Sequence, residues 1–170
     1  MNRAIDAVTV EITGNLLLSI AEEMGVTLIK SAYSTNIKER RDISTAIFDE
    51  QGNMVAQAEH VPMHLGSLLG IIKEIYKKFP PITIRKGDMF IGNDPYNGGG
   101  THLPDITIAA PVFSRERLIG WVANLAHHSD VGGKVPGSTS GDATSIFQEG
   151  LKIPLVYLCR EGVLNKDIVD

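Results

Sequence analysis

Two apolar runs, Ile106 to Phe113 and Leu118 to Ala126, are joined by the polar tetrapeptide Ser114-Arg-Glu-Arg117. Apolar runs of strand length around a short polar connection read as a β-hairpin, and a hairpin constrains everything near its open end. With the turn centred on Arg115 and Glu116, Asp105 falls opposite Ala126 and His102 close to Ser129. Directly opposed residues on antiparallel strands have Cβ atoms about 5 Å apart. His102-Leu-Pro-Asp105 therefore meets the His127-His128 pair without any further tertiary assumption. Side chains alternate faces along a strand, so only one of these two histidines can share a face with Asp105. Pro111 signals an edge or a bulge, and one extra residue would shift the register. At this level both histidines stay open.

Imidazole nitrogens beside a carboxylate are the ligand set of mononuclear zinc, iron or manganese sites that keep positions free for water or substrate. The competing reading makes the histidines hydrogen-bonded loop residues and Asp105 a turn cap. Glu59-His60-Val-Pro-Met-His64 places two histidines four apart, but Pro62 between them argues against a shared helical face. Glu59 and His60 are read instead as pocket-lining catalytic candidates, and His128 as a third, with helix capping as the alternative for the first two. Gly98-Gly-Gly100 could form an anion nest or serve flexibility alone. Arg40-Arg41-Asp42 could grip an anionic substrate, form an internal Arg–Asp pair or make a solvated turn. Asp94 and Asp130 are candidates to orient ligand histidines, and equally good turn residues.

At 170 residues the chain is long enough for one ordinary domain with a core that needs no disulfide or structural zinc. A net charge of -4 and the absence of any basic cluster larger than Lys38-Glu-Arg40-Arg41 or Lys77-Lys78 argue against nucleic acid as a partner. The single cysteine, Cys159, lies in an apolar run and reads as a buried small hydrophobe. Leu16-Leu17-Leu18 is flanked by Glu11 and Glu22-Glu23, with no basic leader, and no stretch is read as the roughly 18 apolar residues of a membrane span. The cytoplasm is the expected location.

The fold class expected is α+β. Val8, Ile12, Leu16, Ile20, Met24 and Leu28 recur every four residues behind Asp6, predicting a helix over 6–33. Gly14 and Gly25 within it suggest close packing. A second helix is predicted over 63–78, ended by Pro80-Pro81. Mixed, largely antiparallel strands are expected at 44–48, 54–58, 83–85, 88–91 and 153–158 besides the hairpin. Gly132 to Gly141 reads as a long loop suited to a lid or an interface.

Four motifs occur in one order: Glu39-Arg-Arg-Asp42-Ile-Ser, Ala56-Gln-Ala-Glu-His-Val-Pro-Met-His-Leu-Gly-Ser67, Gly92-Asn-Asp-Pro-Tyr-Asn-Gly-Gly-Gly-Thr-His-Leu-Pro-Asp105 and Ala126-His-His-Ser-Asp-Val-Gly-Gly133. Together they resemble the hydantoinase B/oxoprolinase family over nearly the whole chain. The resemblance implies that residues 1–170 are the N-terminal portion of a longer B-type subunit, in keeping with the abrupt end at Asp170. It implies a manganese-type site at His102, Asp105 and His127, by analogy with the acetone carboxylase branch. It also implies hydrolysis of a cyclic amide in a hetero-oligomer, with ATP used through a partner A-type subunit and a small molecule as substrate. A ketone carboxylase subunit and a non-catalytic assembly module are the alternatives.

Overall fold

The computed structural model describes residues 6–58, 60, 61, 64 and 66–169. Helix α1 spans Ala7–Ser31, and the Asp6 side chain caps it by accepting from the Thr9 amide. A short helix, α2 (Thr35–Lys38), leads into β1 (Ile43–Phe48) and β2 (Met54–Ala58). Helix α3 (Ile71–Lys78) precedes β3 (Met89–Gly92), β4 (Asp105–Ser114) and β5 (Arg117–His127). The chain continues through β6 (Val156–Arg160), β7 (Val163–Leu164) and α4 (Lys166–Val169). Among the described residues these strands make one seven-stranded sheet in the order β2-β1-β5-β4-β3-β6-β7. Every neighbouring pair is antiparallel, so the α+β class holds and the mixed component does not appear.

The sheet separates two cores. On one face α3 buries Ile71, Ile72 and Ile75 against Phe48, Phe90, Trp121 and Leu125. Fully buried aliphatic and aromatic side chains each stabilise by roughly 1.5–3 kcal/mol. The polar end of Trp121 is satisfied because its Nε1 donates to the Tyr76 hydroxyl at 2.8 Å. On the other face α1 and α2 supply Leu28, Ile29, Ala32 and Ile37 to Ile43 and Ala126. Thr45 Oγ1 ties this layer together by donating to the Ala21 carbonyl at 2.7 Å.

Helix α1 forms as expected, but only its C-terminal half is packed. Ala21 and Gly25 are its buried residues, while Val8, Ile12 and Leu16 are 64%, 63% and 57% exposed. Gly25 is closely packed, since an added Cβ would lie 2.2 Å from His60 Nε2 and the imidazole would have to move, whereas Gly14 meets nothing. Contrary to the expectation about membrane spans, α1 is long and apolar enough by length and composition to cross a membrane. Only Glu22 and Glu23 are charged between Glu11 and Lys30, so the count of uninterrupted apolar residues understated it.

Other boundaries moved for local reasons. The second helix begins at Ile71 rather than residue 63, because Gly66 takes φ +85 and breaks the α-helical path. Residues 83–85 are not a strand: Pro81–Thr83 form a 3-10 turn. Strand β6 starts at Val156, since Pro154 has no amide proton and the Ile153 amide is already bonded to Asn93 Oδ1. Cys159, expected to be buried, is half-buried on β6.

Candidate metal centre

Strands β4 and β5 pair Ser114 with Arg117 and Phe113 with Leu118, but Val112 then pairs with Gly120, leaving Ile119 as an extra residue on β5. This bulge lies beside Pro111 and advances the register by one. Asp105 consequently sits opposite His127 rather than Ala126. Opposed residues share a face, so His127 is the histidine that accompanies Asp105 and the alternation is decided. On the other side of β5, Ile43 pairs with Ala126, and the His127 amide donates to the Asp42 carbonyl at 3.0 Å. Asp42, His127 and Asp105 thus lie in one row across the ends of three adjacent strands.

His102 reaches this row from a tight turn. The Asp105 amide donates to the His102 carbonyl at 2.9 Å, and the His128 amide to the Pro104 carbonyl at 2.8 Å. Asn93, fully buried, anchors the turn through Nδ2 bonds of 2.8 Å to the carbonyls of Leu103 and Leu151. The glycine run serves the same end. Gly100 has φ +81, and a Cβ there would stand 2.6 Å from Asp105 Cβ. The adjoining Thr101 amide donates to Asp105 Oδ2 at 3.1 Å and orients the carboxylate.

The resulting cluster is tight. His102 Nε2 and His127 Nδ1 are 3.0 Å apart, and they stand 3.4 and 3.2 Å from Asp105 Oδ1. Ligand atoms held about 2.1 Å from a tetrahedral ion stand roughly 3.4 Å from one another, so the donor set fits a divalent metal. A buried carboxylate oxygen supports the fit, since Asp42 Oδ1 has no hydrogen-bond partner. Burial by itself would raise the Asp105 pKa, yet the bonds from His102 and His127 hold it well below the usual carboxylate range. The Asp105 bond raises the pKa of His102 against the opposing effect of burial, and the negative charge of Glu149 adds to it. Burial, then the neighbouring His127, lowers that of His128.

Not every sequence candidate joins the cluster. His128 follows the last residue of β5 and is outside the group of three. His60 faces α1, its Nε2 3.9 Å from Glu22 Oε2, and Glu59 lies outside the described residues. Asp94 caps the turn at Pro95 and pairs with Lys152 at 2.8 Å. Asp130 accepts from the amides of Gly132 and Gly137 and from Ser138 Oγ, pinning the long loop. Both therefore act as turn residues. Arg40 and Arg41 are exposed on a turn, as the solvated-turn reading expects, and the Asp42 carboxylate lies against His64, whose Nε2 is 3.4 Å from Asp42 Oδ1 and 3.9 Å from Asp105 Oδ1. Sequence reasoning missed His64 because Pro62 was weighed only against a helical pairing. A polar cleft of about 370 Å³ opens beside His102, lined by Tyr96, Thr101, Thr144, Ser145 and Glu149.

Residues 6–170 match the family model described as Hydantoinase B/oxoprolinase. The 5-oxoprolinase of Saccharomyces cerevisiae is 42% identical over 166 residues, which cover 97% of this chain and 13% of that protein. A Pseudomonas protein described as the B component of a D-/L-hydantoinase is 34% identical over 172 residues, covering 99% of this chain and 29% of the relative. The crystal structure of the ATP-dependent caprolactamase from Pseudomonas jessenii superposes with a TM-score of 0.87 at 34% identity, over 98% of this chain and 28% of that one. The chain spans less than a third of the length of the curated relatives named here. The family model covers nearly the whole chain and the curated relatives carry matching descriptions, and the chain belongs to the hydantoinase B/oxoprolinase family.

Proposed function

We propose that this chain carries the metal-binding part of an ATP-dependent amide hydrolase of the hydantoinase/oxoprolinase type, acting on a cyclic amide with a partner A-type subunit that handles ATP. The observation that carries the reading is the meeting of His102, Asp105 and His127 within 4.8 Å of one another in a member of this family. Relatives described as an oxoprolinase, a hydantoinase component and an ATP-dependent caprolactamase support the reaction class, and the name of the hydantoinase relative supports a hetero-oligomer. His102, Asp105 and His127 would hold a divalent manganese, zinc or iron ion. Such an ion supplies Lewis-acid polarisation of an amide-derived oxygen.

The chain's own residues prepare that chemistry. Asp105 is 1% exposed and fixed by the Thr101 amide, so the carboxylate is oriented before any ligand arrives. His127 is held on the Asp105 face by strand pairing. His102, 38% exposed in its side chain, borders the cleft and is the ligand nearest to a substrate there. Thr144, Ser145 and Tyr96 offer hydroxyls to a polar ring.

The test is elemental analysis and ATP-dependent ring opening of the full-length chain with its partner. His102→Ala, Asp105→Ala and His127→Ala should lose the ion and the turnover together, while His128→Ala keeps the ion. Full metal content in all three alanine variants would overturn the assignment.

A further inference from the structure

We propose that His64 is a positioning residue that stands between the carboxylates of Asp42 and Asp105 beside the candidate metal centre and keeps them in place. The inference rests on the reading of His102, Asp105 and His127 as ligands, and it adds a residue outside that set. The His64 side chain is 2% exposed, and its Nε2 lies 3.4 Å from Asp42 Oδ1 and 3.9 Å from Asp105 Oδ1. One ring nitrogen thus stands between two carboxylate oxygens, one from the residue before β1 and one from the start of β4.

The other ring nitrogen indicates why the residue is a histidine. Nδ1 is buried with no hydrogen-bond partner. A buried unpaired polar atom is destabilising, so an apolar side chain of similar volume would pack there at lower cost if filling space were the whole role. Nε2 is then the atom that accounts for the histidine. The backbone fixes its aim: the His64 amide donates to the Val61 carbonyl at 3.0 Å, and its carbonyl accepts from the Ser67 amide at 3.0 Å and from Gln57 Nε2 at 3.3 Å. Asp42 Oδ1 is buried and makes no hydrogen bond, so the Nε2 approach at 3.4 Å is the polar contact it has, as a charge facing a dipole. Two neighbouring carboxylates repel each other, and an N–H dipole placed between them keeps Asp105 from turning away from the ion.

The geometry separates the two nitrogens experimentally. Glutamine places an amide nitrogen near the position of Nε2, asparagine places one near Nδ1, and leucine keeps volume with no nitrogen. His64→Gln, His64→Asn and His64→Leu are compared in the full-length chain with its partner. Mn(II) binding is followed by electron paramagnetic resonance, Co(II) binding by its visible spectrum, and the metal-free proteins are checked by thermal unfolding and circular dichroism. His64→Gln should bind Mn(II) within about 3-fold of the parent, whereas His64→Asn and His64→Leu should weaken it by roughly 10–100-fold. The Co(II) bands should shift in the Asn and Leu variants at unchanged secondary structure. Parent-like affinity in all three variants, or an equal loss with glutamine and leucine, overturns the positioning role while leaving the ligand triad standing. Failure of the parent protein to bind either ion overturns the triad and this inference together.

Discussion

Replacing Asn93 should loosen the turn that carries His102, and the cost follows from its bonds. Its side chain is fully buried and makes three of them: Nδ2 to the carbonyls of Leu103 and Leu151 at 2.8 Å each, and Oδ1 from the Ile153 amide at 2.6 Å. Each such bond contributes about 1 kcal/mol net, and a buried partner left unpaired costs about 1–3 kcal/mol. Asn93→Ala removes all three and leaves three backbone groups short of a partner. Some of those groups recover water, so we expect a loss of about 3–5 kcal/mol. For a domain of this size each kcal/mol lowers Tm by about 2–4 °C, which gives a fall of about 10 °C. Asn93→Asp should be no better, because it keeps the acceptor for Ile153 but turns an anionic oxygen toward two carbonyls. Urea unfolding gives the free energy, and amide hydrogen exchange at Ile153 reports the strap directly. A loss below about 1 kcal/mol, or an Ile153 amide as protected as in the parent, would refute the reasoning.

Two further outcomes follow from the same region. Gly100→Ala places a Cβ 2.6 Å from Asp105 Cβ at φ +81, so it should lose at least about 1–2 kcal/mol from the left-handed conformation alone and bind metal substoichiometrically; parent-like metal content would contradict the packing argument. In metal-free protein, His102 has a raised pKa through its bond to Asp105. Its charged pairing therefore adds stability that is complete below the unfolded-state pKa and disappears as pH rises through the folded one. The stability gap between parent and His102→Gln should be widest in mild acid and close toward alkaline pH, and a gap that stays flat from about pH 5 to about pH 9 would count against the pairing. Metal affinity should run the other way and rise with pH, because a ligand imidazole must be deprotonated.

The parts of the fold readable from the chain were those governed by local periodicity. The 3.6-residue pattern behind Asp6 located α1, and the paired apolar runs located β4 and β5. What periodicity does not carry is where an element finds a partner: Val8, Ile12 and Leu16 belong to the apolar stripe and are exposed among the described residues. The second helix was overextended because Leu65 and Leu68 fit its spacing, while the left-handed turn at Gly66 is invisible to an apolar count. Of the centre, His102 and Asp105 were legible because they are close in sequence, and the strand pairing brought in one of two histidines. Choosing His127 by geometry required the position of the bulge. His64 and the carboxylate of Asp42 come together only through the sheet and the segment after β2, contacts that no local pattern encodes.

The bulge at Ile119 makes the hairpin behave as a ruler with one graduation added near its far end. Asp105 lies seven residues from Val112, about 24 Å along an extended strand, yet the residue placed opposite it is decided there. Pairing Ile119 with Val112 instead of bulging it out would slide β5 by one residue and present Ala126 to Asp105, exchanging an imidazole for a methyl group without touching the centre. Drawing the extra residue into the ladder at this solvent-facing tip is therefore equivalent to a ligand substitution, whereas deleting Ile119 would leave His127 opposite Asp105. A chain that kept every histidine and aspartate but straightened the bulge at the same length would have the same apparent motif and a different centre.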